Sequence, residues 1–114
     1  MEGLAAGIAV ASDDFDGLVA VAKEQAVDWV FVGPEIPLAL GLVDKFTEAG
    51  IPALGPTQAA ARLESSKAFA KEIMVRYEIP TAGYHLFTEL EPLLTHLSDC
   101  PIPVVVKASG LAGG

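Results

Sequence analysis

At 114 residues, 52% of them hydrophobic, the chain is long enough for one buried core, or for one incomplete domain and the entry to a second. Lys23, Asp28, Asp44 and Lys45 interrupt its richest apolar stretch, which argues against a helix of the roughly twenty apolar residues needed to cross a membrane, and Met1-Glu2-Gly3-Leu4 lacks the basic region of a signal peptide. A formal charge of −8 argues against nucleic acid as a partner, and the single cysteine, Cys100, rules out an internal disulfide, suits a reducing cytoplasm and leaves only His85 and His96 to join it at a metal.

The first half alternates two patterns. Gly7 to Ala11 is a short apolar run that reads as a strand, and Ser12-Asp13-Asp14 supplies an N-cap for a helix with Phe15, Leu18, Val19, Ala22 and Ala26 at helical spacing. Trp29 to Val32 is a second apolar strand. Gly33-Pro34-Glu35 makes a sharp turn, and Leu38, Leu42, Val43 and Phe46 form the next apolar stripe, which ends at Ala49-Gly50 with the glycine at C′. Ile51 to Leu54 is another short strand, closed by the helix-capping turn Gly55-Pro56-Thr57. Strands and helices alternating through short turns imply an α/β fold with a parallel sheet covered by helices.

From Thr57 the pattern becomes helical, with Leu63, Phe69, Ala70, Ile73, Met74 and Tyr77 on one side. Ser65-Ser66-Lys67 interrupts it and places a serine at the N-cap of a second helix. Ile79-Pro80-Thr81-Ala82 stops that helix, because proline disfavours the α region for the residue before it. Tyr84 to Phe87 reads as a strand, Thr88 and Glu91 as a capping pair, and Leu90, Leu93, Leu94 and Leu97 as a buried helix face. Ile102 to Lys107 reads as a closing strand. A domain boundary is expected near Leu63 to Lys67, giving domains 1–64 and 65–114.

Two places carry chemistry. Lys107 follows Val104-Val105-Val106 and precedes Ser109-Gly110-Leu111-Ala112-Gly113-Gly114. A strand buried on both faces would deliver a cation to a loop whose N–H groups approach an anion without a Cβ in the way. A solvated surface lysine is the alternative, and the order of lysine and glycines is not that of a P-loop. Gly33-Pro34-Glu35 lies beyond a strand's carboxyl end, where open α/β sheets bind ligands. Taken alone, these residues are better explained by a tight turn with an acid in the helix's first turn. Asp28, Glu48, Glu64, Glu72, Glu78, Glu89 and Asp99 read as solvated faces or caps, Ser12, Ser65 and Ser66 as caps, and His85 and His96 have no partner at metal or catalytic spacing.

Taken in order, several segments resemble the glycinamide ribonucleotide synthetase family, the phosphoribosylamine-glycine ligases of the ATP-grasp superfamily. They are Val30-Phe31-Val32-Gly33-Pro34-Glu35-Ile36-Pro37-Leu38, Gly55-Pro56-Thr57, Leu63-Glu64-Ser65-Ser66-Lys67-Ala68-Phe69, Ile79-Pro80-Thr81-Ala82 and Val105-Val106-Lys107-Ala108-Ser109-Gly110-Leu111-Ala112. The similarity is weakest over Met1 to Ala26. It implies part of a doubly wound parallel-sheet N-terminal domain followed by the start of an ATP-grasp domain. It also implies ATP-dependent joining of glycine to 5-phosphoribosylamine in purine synthesis, through an acyl phosphate of glycine. By position Lys67 and Lys107 resemble the two ATP-grasp lysines. Gly110, Gly113 and Gly114 resemble the start of the mobile loop over the ATP phosphates, and Gly33, Pro34 and Glu35 resemble part of the phosphoribosylamine pocket wall. Ser109 stands where the family commonly has aspartate.

The family's first strand with its glycine-rich turn, and its acidic ligands for Mg²⁺ or Mn²⁺, have no counterpart in these residues. The chain is therefore expected to be a fragment whose open sheet edges favour self-association. Other ATP-grasp carboxylate-amine ligases and a non-catalytic α/β binding module remain open alternatives. A lysine and part of a phosphate loop do not hold ATP and metal in line with an acyl acceptor. The purified 114-residue chain is thus expected to show no ATP turnover with glycine and phosphoribosylamine in a coupled assay, and measurable ligation would overturn this.

Overall fold

The computed structural model describes residues 3–101 and 103–111, in two compact units that divide between Ala61 and Arg62. The first contains α1 (Phe15–Glu24), β1 (Val30–Phe31), α2 (Glu35–Ala39), α3 (Leu42–Glu48) and β2 (Ala53–Leu54). The division falls within α4 (Gln58–Ser65), and α5 (Lys67–Arg76) and α6 (Leu90–Asp99) follow. The class is α/β. No helix among the described residues is long and apolar enough to cross a membrane.

The sheet of the first unit is the parallel pair β1 and β2, with Val30 opposite Ala53 and Phe31 opposite Leu54. Val30 N–H donates to the Pro52 carbonyl at 2.8 Å and Val32 N–H to the Leu54 carbonyl at 3.1 Å. Parallel neighbours need a crossover, supplied here by α2 and α3. Leu42, Val43 and Phe46 of α3 are buried with Val32, Ile51 and Ala22, and Phe15, Leu18, Val19, Val30, Leu38 and Ala53 pack around them. Lys45 of α3 meets Asp16 of α1 at 2.9 Å. This hydrogen bond, and then the carboxylate's charge, raise the Lys45 ammonium above its ordinary pKa.

Helix ends follow local chemistry. Asp14 caps α1 by accepting from Gly17 N–H at 2.9 Å, and Ser66 caps α5 by accepting from Phe69 N–H at 3.2 Å. Three helices close in the same Schellman pattern. After α3, Gly50 donates to Thr47 and Ile51 to Phe46. After α1, Ala26 donates to Lys23 and Val27 to Ala22, and after α5, Glu78 donates to Val75 and Ile79 to Met74. Only the first places a glycine in the left-handed conformation, whereas Ala26 (φ 48°) and Glu78 (φ 54°) adopt it with a Cβ present.

Three expected strands do not form ladders among the described residues. Gly7 to Ala11 is bent by a three-residue turn, in which Val10 N–H donates to the Ile8 carbonyl at 3.0 Å. Tyr84 to Phe87 forms no ladder either: the rings of His85 and Phe87, two residues apart, stack with centres 6.4 Å apart, and both lie tilted against His96 of α6, at 4.3 and 5.2 Å. Residues 103–107 form no strand, and Val105 is 76% exposed, so the valines are not buried on both faces as their composition suggested. Ile102 lies outside the described residues. β-branched side chains favour a strand only where a neighbour accepts the backbone bonds. The expected single helix over Leu38 to Phe46 is broken at Gly41, whose φ of 91° no helix accommodates. The leucine face of α6 is only partly covered, with Leu90 and Leu94 exposed.

Two opposite glycine effects follow. Ala26→Gly should raise stability by about 0.5–1 kcal/mol, because relief of the left-handed Cβ penalty exceeds the added unfolded-state entropy. Gly55→Ala should lower it by about 1–3 kcal/mol, since a Cβ there would stand 2.9 Å from both Leu38 Cδ2 and Val43 Cγ2 at a φ of 154°. Urea unfolding of both variants checks the signs.

Candidate functional site

In the first unit, the chain leaves β1 through buried Val32, turns at Gly33, and enters α2 after Pro34, whose φ of −70° and ψ of 140° place it at the N-cap. Proline needs no N–H there, and its ring holds that φ. Glu35 opens α2, where the helix dipole favours a carboxylate. Pro34 to Pro37 and Ala11, Ser12 and Asp13 line an open cleft of about 620 Å³. Pro34 and Glu35 thus face it, while Gly33 sits just outside its lining. Ser12 and Asp13, expected as caps, face the cleft as well, because Asp14 alone caps α1. The polar lining is one hydroxyl and two carboxylates with no basic side chain. Such a surface accepts hydrogen bonds from hydroxyls or an amine.

In the second unit, Lys67 is the first residue of α5 and is half-buried. Its Nζ donates to the Gly110 carbonyl at 2.8 Å, and the next residue's N–H, that of Ala68, donates to Ser109 Oγ at 3.2 Å. The structure therefore joins α5 to the loop that follows Lys107, although 43 residues separate Lys67 from Gly110. Gly110 has a φ of 139°, a conformation that favours glycine. The Lys107 side chain is exposed, and its strand is replaced by irregular chain. Gly113 and Gly114 lie outside the described residues.

Three further features escaped the sequence. Lys71, one turn beyond Lys67, donates to Thr81 Oγ1 at 2.7 Å and to the Ala82 carbonyl at 2.8 Å, and its ammonium lies 5.5 Å from the centre of the Tyr84 ring. It ties the Ile79-Pro80-Thr81-Ala82 segment to α5, and its i, i+4 spacing from Lys67 was the available signal. Ser109, which the sequence shows only as a substitution for the family's aspartate, accepts from Ala68 N–H. His85 and His96, which have no partner at metal or catalytic spacing in the sequence, meet with ring centres 4.3 Å apart and planes inclined at 45°. Among the described residues, no three His, Cys, Asp or Glu side chains converge to hold a metal ion.

Comparison with known proteins places these features in context. Residues 1–64 match the family described as phosphoribosylglycinamide synthetase, N domain, and residues 65–114 match phosphoribosylglycinamide synthetase, ATP-grasp (A) domain. The phosphoribosylamine-glycine ligase of Vibrio vulnificus strain YJ016 is 56% identical over 105 residues, covering 92% of this chain and 24% of the relative. That of Allochromatium vinosum is 57% identical over 107 residues, with 94% and 25% covered. The Haemophilus influenzae ligase is 50% identical over 105 residues, with 92% and 24% covered. The chain thus spans about a quarter of the length of the curated relatives it matches.

Replacing Lys71 by methionine keeps the aliphatic stem but removes two hydrogen bonds, and should destabilise the second unit by about 1 kcal/mol, the scale of one or two exposed hydrogen bonds. Amide exchange at Gly83 and Tyr84 should rise in parallel. Unchanged exchange would show that the tether is not what holds the segment.

Proposed function

The chain belongs to the phosphoribosylglycinamide synthetase family, and from that premise we propose that it carries part of two sites of the ligase that joins glycine to 5-phosphoribosylamine with ATP. Residues 1–64 contribute one wall of the phosphoribosylamine site, and residues 65–114 open the ATP-grasp domain. The observation that carries this proposal is the 2.8 Å bond from Lys67 to Gly110, because it draws the first candidate lysine to the glycine loop beyond the second.

An ammonium has three N–H donors. Gly110 takes one, which orients the Lys67 side chain and leaves two for phosphate oxygens. Lys107 adds a second positive charge from the same loop, and Gly110 keeps that loop open to close approach. In the acceptor-lined cleft, Asp13 and Glu35 suit the amine and hydroxyls of a ribosylamine, while Gly33 and Pro34 set the turn that presents Glu35. Bound ATP supplies the phosphoryl group that activates the glycine carboxylate. The described acidic residues form no cluster for Mg²⁺ or Mn²⁺, so they do not fit the metal and no step is assigned to it. The partners are small molecules, in a cytoplasmic setting. Self-association through the exposed Trp29, Phe31 and Leu54 is part of the same proposal.

Calorimetric titration with ATP, ADP and glycinamide ribonucleotide tests the assignment. Ribonucleotide binding is expected, and Glu35→Gln should weaken it by about tenfold, the scale of one charge-assisted hydrogen bond, while leaving ATP binding within twofold. Silence toward all three ligands would contradict it.

A further inference from the structure

The N-terminal turn of α5 is tied to the Lys107 loop at two adjacent points. Lys67 Nζ donates to the Gly110 carbonyl at 2.8 Å, and Ala68 N–H donates to Ser109 Oγ at 3.2 Å. A helix leaves its first amides without intrahelical acceptors. Here Ser66 Oγ accepts from Phe69 N–H within α5, while Ala68 N–H finds its acceptor in Ser109, 41 residues away. One bond alone would let the loop pivot about Lys67. Two bonds at neighbouring residues on each side fix the direction in which the loop crosses the helix.

We propose that Ser109 is a positioning residue, which clamps the Lys107 loop to the first turn of α5 so that Lys67 and Lys107 meet one phosphate group as a unit. Ser109 lies two residues from Lys107 and next to the glycine that orients Lys67. Its hydroxyl oxygen accepts from Ala68, and its own O–H remains able to donate, so the clamp does not compete with a phosphate for donors. This assignment rests on the phosphate role proposed above for Lys67 and Lys107.

The test is competitive amine acetylation of the 114-residue chain, read site by site by mass spectrometry, with and without millimolar ATP and magnesium. In the unsubstituted chain ATP should slow acetylation of Lys67 and Lys107 at one shared half-saturation concentration. Ser109→Ala should raise that concentration about three- to tenfold, the change that loss of one hydrogen bond corresponds to, and should split it into two separate values. Ser109→Thr, which keeps the hydroxyl, should restore the single value. Thermal melting of each variant is followed in parallel, and Ser109 is exposed, so melting should hardly move. Shared protection that is unchanged in Ser109→Ala overturns the clamp while sparing the phosphate role. Absence of ATP protection in the unsubstituted chain overturns both.

Discussion

Burial of one face of α3 is the constraint on which the first unit of this molecule depends. Leu42, Val43 and Phe46 close over Val32 and Ile51, each contributing about 1.5–3 kcal/mol by leaving water, and the rest of the first unit follows from keeping them there. The Schellman end of α3 returns Ile51 to the core beside Phe46, which launches β2 parallel to β1. Gly55 lets the chain leave β2 where any Cβ would strike Leu38 and Val43. Gly33-Pro34-Glu35 is held at the mouth of the cleft because Val32, immediately before it, is one of the buried residues.

The second unit is built on different physics. No described residue in it is buried, and besides the ring contacts of His85 and Phe87 with His96 its long-range order comes from polar tethers that start on α5. Lys67 and Ala68 hold the Ser109-Gly110 turn, and Lys71 holds Thr81 and Ala82. Each such bond contributes about 0.5–1.5 kcal/mol net, so this unit opens more readily than the first. The chemistry divides in the same way. The cleft in the first unit offers acceptors and suits an amine or hydroxyls, while α5 and its loop offer donors and suit phosphate oxygens.

Local chemistry was legible in the sequence at several helix ends, although the expected Thr88–Glu91 capping pair does not form, since α6 starts after Glu89 with no side-chain cap. Asp14 and Ser66 at helix starts and Gly50 at a helix end need only neighbours within a few residues. The Val104 to Val106 segment was misread because a strand is a property of two chains, and its composition says nothing about whether a partner lies alongside. Gly41 was missed for the opposite reason: a left-handed glycine inside an unbroken apolar stripe leaves the periodicity intact. At the candidate sites the motifs named Lys67 and Gly110 separately, but only the fold joins them. Ser12 and Asp13 looked like caps because a cleft has no signature along the chain. Ser109 looked like a loss of charge, although what it keeps from aspartate is the ability to accept from an amide N–H.

The most direct test of a divided site is a ¹⁵N NMR titration of the 114-residue chain with each ligand in turn. Glycinamide ribonucleotide should shift the amides of Ser12, Asp13, Glu35 and Ile36, whereas ATP should shift those of Lys67, Ala68, Ser109 and Gly110. If neither set moves at millimolar ligand, or if both ligands move the same residues, the account of two chemically distinct sites on this chain is wrong.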